Sequence, residues 1–155
     1  MNHHKFLVDV PPIDVLTLRG MQLQRAYDAR RGVWQVLLEY FMKQCDGVGV
    51  VPGSVSELEQ ISRLHTVVRP AHEVAPGAQE WFFALSDEAR FTVRHLRGKE
   101  SHICPFLVLS LYLGSLIRCQ CTDYDNMIVL VSHDERQQLD TLIQDTGLAC
   151  SFRSI

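Results

Sequence analysis

The chain lacks the short motifs that name a reaction. It has no G-x-S-x-G nucleophile elbow, no Walker-type Gly-rich loop and no G-x-G-x-x-G after a strand, and Gly47-Val-Gly49 is too short to count. His72-Glu73 lacks the second His of a zinc-protease helix, and Pro76 would break such a helix. Long apolar runs are missing too: the most apolar stretch, 103–117, has 15 residues, whereas a bilayer-crossing helix needs about 20. The stretch reads as buried core, so no membrane partner is expected. The apolar stretch near the N-terminus is short and interrupted by Asp9, which argues against a signal peptide. Internal repeats and low-complexity segments are absent as well.

Lysine is scarce. Of fifteen basic residues twelve are Arg, a choice that suits planar pairing with carboxylate or phosphate and equally follows from genomic base composition. The net charge of −3 excludes a uniformly basic nucleic-acid binder, with the acidic excess lying in residues 102–155. The five cysteines, an odd number at no secreted-domain spacing, read as reduced thiols in a cytoplasmic protein.

What is present is enough apolar residue, 46% of 155, for a real core in one domain spanning 1–155. Residues 5–10 read as a strand closed by Pro11-Pro12. A helical pattern starts at Asp14 and continues through Trp34, Leu37, Leu38 and Phe41, with Gly32 as a break between two helices. Residues 46–53 read as a Gly-rich loop, and Ser54 with Glu57 opens a further helix reaching His65. Residues 79–85 suggest a helical turn, followed by a Ser86-capped helix over 87–97. The 103–117 stretch admits both a helix and a hairpin; alternation of Leu107, Leu109, Leu111 and Leu113 favours strand-turn-strand, with 127–131 as the third strand of a meander. Ser132 and Glu135 form a second capping box, Gly147 stops that helix and 148–153 closes the chain as a strand. The fold class expected is α+β, with helices packed on a small mixed C-terminal β-sheet ending in a β-α-β unit.

Four constellations are candidates for function. His102, Cys104, Cys119 and Cys121 offer two ligand pairs across the hairpin, as in small zinc sites, although zinc pairs usually have a two-to-four-residue gap; the plain alternative is structural cysteine. Arg90, Arg94 and Arg97 fall within one helical arc that can hold an anion or an acidic partner, or simply face solvent with Asp87 pairing Arg90. The helices over 33–65 have the cadence of a helix-turn-helix, but a basic recognition helix is missing at the required distance. Trp81, Phe82 and Phe83 in a row cannot all point inward from one helical turn, which leaves Trp81 as a partner-binding candidate. Asp123 and Asp125 begin like a calcium loop that is not completed, and His133-Asp134-Glu135 reads as a helix first turn.

Together these features point to a non-enzymatic protein-protein interaction or regulatory module: an adaptor, a secretion-type chaperone or an immunity-type inhibitor. The alternatives are a DNA-binding transcription regulator and a small zinc-binding protein. A homo-oligomer is compatible with the composition.

Overall fold

In the computed structural model the described residues form eight strands in one sheet, in the order β3-β4-β2-β5-β6-β7-β1-β8. Residues 2–11, 13, 16–98, 103–122 and 126–155 are described. In chain order the elements are β1 (His4–Asp9), α1 (Gly20–Met42), β2 (Gly47–Val51), α2 (Val55–Glu59), β3 (Val67–Pro70), β4 (Gln79–Ala84), α3 (Asp87–Arg94), β5 (Val108–Leu113), β6 (Leu116–Thr122), β7 (Met127–Val131), α4 (His133–Asp145) and β8 (Ser151–Ser154).

The class is α+β, but the sheet is neither small, mixed nor C-terminal. Among the described residues all seven pairings are antiparallel, and β1 to β4 bring in strands from the N-terminal half. The closing strand-helix-strand order exists as β7-α4-β8, yet the two strands are not neighbours, because β1 lies between them and runs antiparallel to both. The helix-turn-helix reading of 33–65 also gives way, since residues 47–51 are a strand in the interior of the sheet. Val48 and Val50 enter the core there, and their burial outweighs the low strand propensity of the intervening glycines.

One core forms where α1, α3 and α4 cover a single face of the sheet. Val33, Trp34, Leu37, Leu38, Phe41 and Met42 of α1 meet Val48, Val50, Leu109, Leu111, Cys119, Cys121, Val129 and Val131 from the strands. The α1 helix runs unbroken through Gly32, where the Leu148 side chain occupies the space that a Cβ would need. A side chain there would be displaced by that contact, so the glycine marks close packing and no break. Ser86 and Ser132 start α3 and α4 by accepting from the amides of Ala89 and Glu135. Ser54 likewise accepts from Glu57, whose carboxylate reaches back to the Gly53 amide. The hairpin between β5 and β6 turns at Gly114, whose φ of 60° is disfavoured for residues carrying a Cβ.

A β-bulge on β6 changes what that strand can reach. Leu111 pairs with Cys119 and Tyr112 with Ile117, which leaves Arg118 as the extra residue. Its side chain, only 4% exposed, runs over the Phe41 ring with Cζ 5.4 Å from the centroid. Its Nε donates to Leu130 O at 2.8 Å, its Nη1 to Gln44 and its Nη2 to both Glu135 oxygens, at 2.9 and 3.2 Å. Tyr40 Oη also donates to Glu135 at 3.0 Å, so this network ties the end of α1 to the start of α4.

Among the described residues no helix is long and apolar enough to cross a membrane.

Candidate functional site: an arginine held on aromatic rings

Alternation along β2 leaves a bare strip of backbone opposite the helices. Val48 and Val50 point into the core, so Gly47 and Gly49 lie on the other face, which they share with Phe82, Ser110 and Tyr112 through the strand register. The strip is filled from both sides. A Cβ at Gly47 would strike the Phe82 ring, and one at Gly49 would overlap the Glu80 carboxylate and come within 3.0 Å of the Tyr112 ring.

The result is a carboxylate only 2% exposed. Tyr112 Oη lies 2.9 Å from both Glu80 oxygens and donates its proton to them, and Arg69 Nε donates to Oε1 at 2.8 Å. Burial, then the hydrogen bond to Glu80 and its negative charge, push the Tyr112 phenol up to about 12, so it stays a donor at neutral pH. Arg69, the cross-strand partner of Glu80, lays its guanidinium 3.8 Å from the Phe82 centroid and 4.9 Å from that of Tyr112. Its side chain remains 36% exposed. A buried carboxylate and two rings thus hold a surface arginine in place, and binding an oxyanion costs it less rotamer entropy than a free arginine would lose.

The candidates expected from the sequence are placed elsewhere. Arg90 reaches under the end of α1 and donates to the carbonyls of Met42 and Cys45, where cations complement the helix terminus. Arg94 forms a two-point pair with Glu39 at 2.7 and 3.3 Å. Arg97 exchanges backbone bonds with the Gln60 side chain. Thus Arg90 and Arg94 fasten α3 to α1. Trp81 sits half-buried on β4, cross-strand from Val68 and Val50, on the face opposite Glu80 and Phe82.

Cys104, Cys119 and Cys121 are all buried in the core, and Cys104 Sγ lies 3.4 Å from the Cys121 carbonyl oxygen, to which it donates. His102, Asp123 and Asp125 lie outside the described residues. Among the described residues no group of three or more His, Cys, Asp or Glu is arranged to hold a metal. Burial raises the Cys119 thiol and pushes those of Cys45 and Cys150 up to about 11. At pH 8 the Cys45 and Cys150 thiolates are then about one part in a thousand, so Ellman's reagent should modify neither quickly in the native protein. All five cysteines should react in denaturant. Rapid native labelling of Cys45 or Cys150, located by peptide mass spectrometry, would contradict this.

Sequence periodicity missed Arg69, Glu80 and Tyr112, since they meet only through the pairings of β3 with β4, β4 with β2 and β2 with β5. One signal was available: glycines alternating with valines in 47–50, a pattern that leaves room for large side chains from adjacent strands. No protein-family model, curated protein or solved structure matches the chain.

Proposed function

We propose that this chain is a non-enzymatic protein-interaction module, of the adaptor, secretion-chaperone or immunity-inhibitor kind, which meets its polypeptide partner at the β3-β4 margin of the sheet. The observation carrying this reading is Arg69, fixed over Phe82 and Tyr112 by a buried carboxylate while over a third of its side chain stays exposed. Arginine and aromatic residues are the types that concentrate binding energy at interfaces, and Trp81 lies on the same strand as Phe82. Glu80 is poorly suited to acid-base work, because both of its oxygens already accept hydrogen bonds. Reduced thiols fit a cytoplasmic setting.

The test is native mass spectrometry of untagged protein purified gently from its own host, beside a variant carrying Arg69→Gln and Glu80→Gln together. The double change removes both charges, so no carboxylate is left buried and unpaired. The expected spectrum shows the chain with one specific second polypeptide, and the variant shows the chain alone with an unchanged melting temperature. A bare monomer from the wild type, or a partner retained by the variant, would overturn the proposal. A mass excess matching zinc would instead revive the His102, Cys104, Cys119 and Cys121 site.

A further inference from the structure

The two edges of the sheet are finished differently. At one end β8 presents Ser151, Arg153 and Ser154, with Arg153 paired to Asp9 at 3.0 Å, a polar edge that discourages pairing with another chain. At the other end β3 presents two adjacent valines, Val67 and Val68, which are 53% and 47% exposed. Among the described residues only one side of β3 is engaged, by β4. The register that bonds Ala71 N–H to Ala78 O turns Val68 and Pro70 away from β4, so β3 offers the Val68 amide and the Val68 and Pro70 carbonyls outward, Pro70 having no amide of its own.

Charge singles out the occupant of this edge. Residues 60–72 contain Arg63 and Arg69 but neither Asp nor Glu, in a chain whose net charge is −3. A second copy of the chain pairing through β3 therefore brings no acid to Arg69. A different polypeptide with a carboxylate in an extended segment does. Arg69 and Val67 share one face of β3, and Val68 faces the other way. An incoming strand would set a side chain beside Arg69 at cross-strand distance, about 5 Å between Cβ atoms.

Resting on the interaction reading above, we infer that β3 is a strand-addition site that takes an extended segment of a partner protein, with apolar side chains against Val67 and Val68 and an acidic side chain on the Arg69 guanidinium. The backbone ladder supplies the attachment and the arginine supplies the choice of sequence. The Glu80 carboxylate takes Arg69 Nε, which aims the rest of the fork toward the incoming acid.

Two blocked peptides test this, each alternating Thr and Val, one with a central Glu and the other with Lys at that position. Isotope-labelled protein is titrated with each while amide hydrogen exchange is followed residue by residue. The Glu peptide should slow exchange within β3 and bind at least about tenfold more tightly than the Lys peptide. In the Arg69→Gln, Glu80→Gln variant the two peptides should bind equally. If neither peptide protects β3, if both protect it equally in the wild type, or if β3 becomes protected by the protein's own concentration, the inference is wrong. A polypeptide that co-purifies and is lost from the variant, with β3 untouched by either peptide, would refute strand addition and leave the interaction reading standing. Selective Glu-peptide binding by a chain that co-purifies bare would support the edge site and count against the interaction reading.

Discussion

Replacing Arg118 by Ala is expected to lower the unfolding free energy by about 3–5 kcal/mol, because it strips the partner from a largely buried carboxylate. The bulge carries Arg118 to Leu130 O, Gln44 and Glu135 at once, so one substitution loosens β6, β7, the end of α1 and the start of α4. Glu135 is only 16% exposed, and after the change it retains the Tyr40 hydroxyl, the Ser132 amide and His3 Nε2 at 3.6 Å, but no arginine to neutralise it. The urea midpoint should fall while the slope of the transition stays the same. A shift below about 1 kcal/mol would show that the pair behaves like an exposed one.

The same pair predicts a pH dependence. Burial alone would raise the Glu135 carboxyl, but the Tyr40 hydroxyl, the Arg118 charge and the Ser132 amide outweigh it and hold the group below its usual range. A carboxyl depressed in the folded state binds fewer protons there than in the unfolded chain. Its contribution is therefore fully present above the unfolded value, about 4.3, and is lost as pH falls through the lower folded value. Glu135→Gln should be less stable than wild type at neutral pH and should flatten that part of the acid limb. Parallel acid limbs for the two proteins would dismiss the assignment.

A second large effect is expected at Gly49, where Ala should cost about 2–3 kcal/mol or more, at the upper end for overpacking. The position lies on β2, held between β4 and β5, so backbone withdrawal is resisted from both sides. A methyl group would displace the Glu80 carboxylate from Tyr112 and Arg69. Glu80→Ala should recover part of the loss, giving a coupling of roughly 1–3 kcal/mol in a double-mutant cycle read by urea denaturation. Strict additivity would mean that the two groups do not compete for this space.

How far each element could be read from the sequence depended on whether its cause was local. The meander over β5, β6 and β7 was legible because alternation and a turn glycine lie within a few residues of one another. The serine caps of α3 and α4 were legible for the same reason. Residues 46–53 read as a loop because glycine and Pro52 dominate them, and only the neighbouring strands turn 47–51 into core. Trp81-Phe82-Phe83 hid its own alternation by being apolar on both faces: Phe83 enters the core, while Phe82 lies over Gly47. Gly32 suggested a break, but what fixes it is Leu148, far away in the chain. The arginines on α3 stood out through helical spacing, whereas Arg69 depends on a strand edge that the sequence did not announce.

The position of β1 has a consequence for how the molecule is made. His4 pairs with Val131 and Val8 with Phe152, so an early strand waits for partners more than a hundred residues downstream. Contacts of such long sequence separation carry the loop-closure cost that slows folding, and refolding is expected on the millisecond-to-second scale typical of β-rich domains. At about 5–20 residues per second, ribosomal synthesis takes several seconds to deliver β7 after β1 has emerged. During that interval Phe6 and Val8 have no sheet to enter, and the nascent chain displays them to whatever binds apolar strands in the cell.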